Sequence, residues 1–362
     1  MIMTGLRGVG KTVLLNRFAE LAEMAGWESI ELEASKHDET AFRQSIFSKF
    51  RAALLHISPR RRWSERARHA AEVLSSFVLS IDQSGTFSVT WDVDPSEGYG
   101  DHGDLGLDLT DVFLAVGDVA KEKETGIVLL IDEVQFLTTV QLESLIQAVH
   151  KSVQKKLPIT FVGAGLPQIA ELAGDAKSYA ERLFKFPRID SLTPEEARQA
   201  LVGPAETENV SYDEDAVDLA VSLTHGYPYF IQELGYQAWI VASGNHITAE
   251  DISTAKEAYE AKLDGSFFRV RLDRATPLQT AYMRAMAELG SEPQKAADVA
   301  SLMKRESSQV APIRSQLIDM GLLYTPQHGY AAFTVPDFDK FMMRAVPRLE
   351  VPEIQHRRRR KK

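Results

Sequence analysis

The sequence predicts an α/β fold: a parallel sheet covered by helices on both faces, then an all-helical segment, then a small segment of helices and a hairpin. Three observations carry that expectation. Apolar runs such as Ile127-Val128-Leu129-Leu130-Ile131 and Ile159-Thr160-Phe161-Val162 show almost no polar alternation, the mark of strands buried on both faces. Stretches with helical apolar spacing separate these runs, and alternation of strand and helix is how parallel sheets are built. After Phe186-Pro187-Arg188-Ile189 the strand signals stop and helix-start signals replace them.

Taken in order, residues 1–4 are a short apolar run ending in a glycine-rich turn, and residues 11–24 place Val13, Leu14, Leu15, Phe18, Leu21 and Ala22 on a helical repeat. Residues 27–34 alternate as a second strand, 39–55 are helical, and a helix near 67–79 precedes a strand at Phe87-Ser88-Val89-Thr90-Trp91. Residues 91–111 are glycine-rich and hold seven acids with no Lys or Arg, which reads as a solvated, mobile loop. Helices over 111–123 and 137–154 flank the strand at 127–131.

In the all-helical segment, Thr193-Pro194-Glu195-Glu196 is a capping box with proline at the first helical position, and Thr248-Ala249-Glu250-Asp251 has the same form. Helices are expected near 194–203, 213–224, 228–243 and 248–263, then a linker over 265–276. Three helices (278–289, 295–303, 308–320) precede two short strands (321–324, 330–335) around Gln327-His328-Gly329. That is the outline of a winged helix-turn-helix. The expected division is 1–190, 191–264 and 265–350, with a basic tail over 351–362.

Composition narrows the function classes. With 362 residues, 44% hydrophobic and 25% charged, the chain is long enough for two or three packed domains. Cysteine is absent, which excludes a disulfide framework, a thiolate metal site and a cysteine nucleophile. No apolar run approaches the roughly 18–20 residues that span a bilayer, and Met1-Ile2-Met3-Thr4-Gly5 lacks the basic head and apolar stretch of a secretory signal. A cytoplasmic protein is expected. Residues 265–362 hold 17 Lys and Arg against 10 Asp and Glu, whereas the whole chain holds 41 against 51, so an acidic body carries a basic end. A G-x-S-x-G elbow, an H-E-x-x-H helix and an EF-hand loop are all missing from the sequence.

Gly5-Leu6-Arg7-Gly8-Val9-Gly10-Lys11-Thr12 fits G-x-x-x-x-G-K-[ST] in full, between a strand and a helix. The glycines let backbone N–H groups turn toward phosphates, and the helix N-terminus adds partial positive charge. This makes Gly5, Arg7, Gly8, Val9, Gly10, Lys11, Thr12 and Val13 the expected nucleotide contacts, with Lys11 reaching the β/γ-phosphates and Thr12 ligating Mg²⁺. Arg7 either touches phosphate or pairs with an acid. The strand at 127–131 delivers Asp132 and Glu133 at its carboxyl edge, where ligands sit in open α/β sheets. Asp132 is the expected second Mg²⁺ residue and Glu133 the residue that orients or activates the attacking water. Gln135 either contacts that water or ends the strand, and the second reading is the favoured one.

With these motifs the chain resembles the AAA+ ATPases, and within them the origin-recognition-like and STAND group (signal-transduction ATPases with numerous domains), over residues 1–263. The markers are GLRGVGKT, LLIDEVQFL at 129–137, FVGAGLP at 161–167, Ala180-Glu181-Arg182-Leu183-Phe184 before the fifth strand, and His225-Gly226-Tyr227-Pro228-Tyr229-Phe230. The resemblance implies ATP as the nucleotide, a helical lid set against it through Pro228, and Arg182 as an arginine finger acting on a neighbouring subunit. It also implies possible assembly of the chain with copies of itself. Where the family usually has a polar first sensor, this chain has Gly163-Ala164-Gly165, which implies slow hydrolysis.

Winged helices commonly set their third helix in the major groove of DNA. Lys304, Arg305, Ser308, Gln309 and Arg314 lie at the start and on one face of that helix, suited to phosphate and base-edge contacts; binding of protein by the same domain is the rival reading. The sequence thus points to an ATP- and Mg²⁺-dependent switch, a slow ATPase coupled to a C-terminal winged helix that binds double-stranded DNA. The alternatives are a DNA-binding regulator that holds ATP without turnover, and a STAND-type sensor whose winged helix binds protein.

Overall fold

The computed structural model describes residues 1–34, 39–79 and 93–352. By contacts the chain forms two compact units, Met1–Gly5 with Gly10–Ile189, and Leu6–Val9 with Asp190–Lys362. Among the described residues no helix is long and apolar enough to cross a membrane. The strand expected at Phe87–Trp91 and the basic run from His356 lie outside the described residues.

The first unit runs β1 (Ile2–Thr4), α1 (Lys11–Met24), β2 (Glu28–Glu33), α2 (Glu39–Ile57), α3 (Glu65–Leu79), α4 (Leu105–Glu122), β3 (Ile127–Asp132), α5 (Thr139–Gln154), β4 (Ile159–Gly165), α6 (Ile169–Ala176) and α7 (Ala180–Leu183). Its strands are parallel in the order β1-β4-β3-β2. Alternate residues of β3 feed two cores, as a doubly covered sheet requires. Ile127, Leu129 and Ile131 join the larger core with residues of α2, α3, α4 and α5, whereas Val128 and Leu130 pack with Leu15 and Ala19 of α1.

The fifth strand is reduced to a bridge between Thr4 and Arg188. Ile2 and Thr4 donate to the carbonyls of Lys185 and Pro187, and Ile189 donates back to Thr4. The ladder stops there because Pro187 has no N–H to return to Ile2.

The acidic stretch departs from the expected loop. Asp104 caps α4 by accepting the N–H of Leu107 at 2.9 Å, so the last seven residues of the stretch are helical, which is the ordinary consequence of an N-cap carboxylate. Asp108 is fully buried and pairs with the equally buried Arg43 of α2 at 2.8 Å. The same guanidinium reaches Glu39 Oε1 at 2.9 Å, the carbonyl of Phe77 at 3.3 Å and the face of the Phe77 ring. One arginine therefore ties α2, α3 and α4 together. Just upstream, His102 donates its backbone N–H to Asp108 Oδ1 at 2.7 Å and sets Nε2 2.9 Å from Asp111 Oδ2.

The second unit begins with α8 (Pro194–Thr207), β5 (Ser211–Tyr212), α9 (Glu214–Thr224), α10 (Pro228–Val241), β6 (His246–Ile247) and α11 (Ala249–Lys262). The capping boxes at Thr193 and Thr248 form as read. A hydrogen-bonded run from Asp213 through His246 to Ser211 fastens the short parallel pair β5 and β6.

The expected linker is helical over its first eight residues instead. A π-helical turn at Leu263–Phe268 leads into α12 (Arg269–Leu272). Burial explains the difference: Phe267 stacks on Tyr229 at 4.3 Å between centroids, and Phe268 stacks on Phe341 at 5.2 Å. Then follow α13 (Pro277–Leu289), β7 (Gln294–Lys295), α14 (Ala296–Leu302), α15 (Ser307–Asp319), β8 (Leu323–Tyr324), β9 (Tyr330–Phe333) and α16 (Phe338–Ala345), with the antiparallel order β7-β9-β8.

Two predictions follow from the first unit. Removing one partner of a buried ion pair strands the other, so Asp108→Ala is expected to destabilise the chain by about 3–5 kcal/mol, read as a lower denaturant midpoint; a loss too small to measure contradicts the arrangement. The Asp111 carboxylate raises the His102 pKa above its ordinary 6.5. A raised histidine pKa adds stability in full below the unfolded value, and that stability fades as pH rises through the folded value. The melting difference between wild type and His102→Ala is therefore expected to be larger below pH 6.5 than above the raised pKa, and a pH-independent difference contradicts it.

Candidate functional site

The site grows from the carboxyl edge of the sheet. β1 ends at Thr4, opposite Gly165 of β4, and Gly5 donates its N–H to the Gly165 carbonyl at 3.1 Å. The chain then loops to Gly10, which opens α1 with φ of 94°, while Gly8 sits at 86°; both values lie where side chains are strained. The first turn of α1 has neither a side-chain cap nor an acid, so no side-chain oxygen offsets the positive end of the helix dipole, which favours an anion there. Lys11 is buried and its Nζ donates to the Gly5 carbonyl at 3.0 Å, which curls the loop around its own ammonium.

Asp132 ends β3 on the same edge. Its Oδ2 accepts the Thr12 hydroxyl at 2.6 Å and its Oδ1 accepts the Glu133 N–H at 2.7 Å. Glu133 takes a left-handed backbone, φ 53°, uncommon for a residue with a side chain, and its carbonyl accepts the N–H of Phe136 to close a 3-10 turn. Beside Thr12 and Asp132 opens a cleft of about 260 Å³, bordered also by Asn16 and Glu33.

Gln135, expected to end the strand, lies past it in the 3-10 turn Val134–Phe136. Its Nε2 donates to Glu133 Oε2, and its Oε1 accepts the Leu166 N–H at 3.0 Å. The orientation is fixed by chemistry, because a carboxylate accepts and an N–H donates. A signal was available in the glycine at the end of β4, since glycine within a strand marks a close approach.

The other expected residues are placed as follows. Val13 is exposed on α1, and Val9 is buried. In the second unit, which includes the loop tip Leu6–Val9, Arg7 donates its backbone N–H to Thr334 and Gly8 accepts the N–H of Tyr229. A Cβ on Gly8 would lie 3.2 Å from the Tyr227 ring, next to Pro228 at the start of α10. Burial pushes the Tyr227 hydroxyl well above its usual pKa. Arg182, in α7, is exposed and makes no ion pair among the described residues. Lys304, Ser308 and Gln309 are exposed, and the Gln309 side chain accepts the Glu306 N–H as part of the α15 cap. Arg305 turns inward onto the Pro352 carbonyl, and one Arg314 nitrogen is buried. These residues therefore do not form one basic face.

Residues 1–162 match the family model described as AAA ATPase domain, and residues 265–342 match one described as a domain of unknown function. Among curated proteins none matches. Of the solved structures, the Walker-type ATPase PABY2304 of Pyrococcus abyssi is 16% identical at a TM-score of 0.57, covering 94% of this chain and 90% of that one. ORC1 of Aeropyrum pernix, solved in complex with DNA, is 15% identical at 0.42, covering 95% and 86%. The RuvB Holliday junction branch migration motor of Thermotoga maritima is 14% identical at 0.44, covering 97% and 87%. The first likeness shows a shared fold. The N-terminal part of the chain is thus a parallel-sheet P-loop fold with an AAA ATPase-type nucleotide-binding domain.

Proposed function

We propose that the chain is an ATP-binding switch with slow Mg²⁺-dependent hydrolysis. The observation that carries this reading is the 2.6 Å bond between Thr12 and Asp132, which joins the glycine-rich loop to the acidic end of β3. The donor set suits the ion: a hydroxyl and a carboxylate are hard oxygens, and Mg²⁺ keeps water and phosphate oxygens for most of its ligands. Thr12 and Asp132 would hold the ion, and when bound it supplies charge neutralisation across the β- and γ-phosphates.

The chain's own residues do the rest. Lys11 and the first-turn N–H groups of α1 bind and orient the phosphates. Glu133 takes a proton from the attacking water as the water oxygen bonds to the γ-phosphorus and the bond to the bridging oxygen breaks, releasing ADP and phosphate. In this reading α8 to α11 are the lid that Pro228 sets against the nucleotide, and exposed Arg182 is available to a neighbouring copy. Residues from α13 to β9 are read as a winged helix whose disposition follows the nucleotide.

The partner of that domain is read from α15. Its one cation is Arg314, and the residues it exposes include Ser308, Gln309, Ser315, Gln316 and Asp319. A DNA-reading helix relies on cations for phosphate contacts, so this surface favours the STAND-type reading with a protein partner over double-stranded DNA.

The test is binding and turnover of ATP by the purified chain. Lys11→Ala is expected to weaken ATP binding by tenfold or more, about 1.4 kcal/mol. Glu133→Gln is expected to keep binding while losing roughly 10²–10⁴-fold in turnover. Undiminished turnover in Glu133→Gln would sink the assigned chemistry.

A further inference from the structure

Gln135 spans two groups that are distant in sequence. It is half-buried, two residues past Glu133, and bridges the Glu133 carboxylate to the backbone N–H of Leu166 just beyond β4. The opposite strand end is shaped to admit it. A Cβ on Gly165 would lie 2.8 Å from Gln135 Oε1, although Gly165 has no left-handed backbone to require glycine. Glycine costs a strand both entropy and packing, and at this position it leaves room for the carboxamide.

The left-handed backbone of Glu133 is a costly conformation that persists where surroundings over-determine it, and the Gln135 carboxamide is one group that holds its carboxylate beside the edge where Thr12 meets Asp132. We infer that Gln135 is a positioning residue for hydrolysis, anchoring the Glu133 carboxylate to the end of β4 and so fixing where the attacking water is held. The inference rests on the proposed role of Glu133 and adds to it the group that places that side chain.

The experiment is single-turnover ATP hydrolysis beside ATP affinity, measured with a fluorescent ATP analogue, for wild type, Gln135→Met, Gly165→Ala and the double variant. Gln135→Met keeps the side-chain length and loses both hydrogen bonds. Misplacing a reacting group by about 1 Å costs on the order of 10²-fold, so Gln135→Met is expected to lose about that much rate with affinity within about twofold of wild type. Gly165→Ala, which displaces the carboxamide, is expected to lose rate in the same direction, and the double variant to be no slower than Gln135→Met alone. Wild-type rate in Gln135→Met overturns the inference, as does a parallel loss of rate and affinity, which would mark a merely structural role. Wild-type turnover that is lost in Glu133→Gln but kept in Gln135→Met removes this inference alone. A wild-type chain without turnover removes the hydrolytic reading and this inference together.

Discussion

The site depends on β4 lying between β1 and β3. Parallel pairing sets Thr4 opposite Gly165 and Ile131 opposite Gly163, so the ends of β1 and β3 open on one edge with a single strand between them. That spacing lets α1, which starts after the glycine-rich loop, bring Thr12 to Asp132 across 120 residues of sequence. A Cβ on Gly163 would meet Phe161 and Val134 at 3.0 Å. Both glycines of β4 therefore serve the same edge: one lets the turn after β3 settle against the sheet, and the other admits Gln135. The ligand edge is a packing solution before it is a chemical one.

The helices on the larger-core side of the sheet are held by a different device. Arg43 and Asp108 are both buried, and the arginine also donates to Glu39 and the Phe77 carbonyl. An ion pair in such a place contributes little net stability when intact, but it penalises arrangements that separate the partners. In the second unit the corresponding role falls to aromatic rings. Phe267 and Phe268 join Tyr229 of α10 to Phe341 of α16, so the helical segment and the C-terminal segment share one core.

What could be read from sequence was local. The phosphate-binding loop, Asp132 and Glu133 are contiguous motifs whose chemistry requires those residue types, and the capping boxes at Thr193 and Thr248 announce their helices within four residues. What escaped reading needed a distant partner. Asp108 looked solvated because its arginine sits on another helix, and Gln135 looked like a strand end because the N–H it accepts lies 31 positions away. Residues 265–276 looked like a linker because the partners of Phe267 and Phe268 come from α10 and α16. Arg305 and Arg314 looked like surface cations, and their inward turn depends on tertiary contacts that charge counting does not contain.

The central claim is that the glycine-rich loop and the end of β3 form one site for a nucleotide and its metal ion. Calorimetric titration with ATP, with Mg²⁺ present or chelated, tests it most directly when wild type is compared with Asp132→Asn. The account predicts that chelation weakens wild-type binding by tenfold or more, about 1.4 kcal/mol, and that Asp132→Asn loses most of this dependence. ATP affinity indifferent to Mg²⁺ in the wild type, or a full Mg²⁺ effect retained in Asp132→Asn, would contradict it.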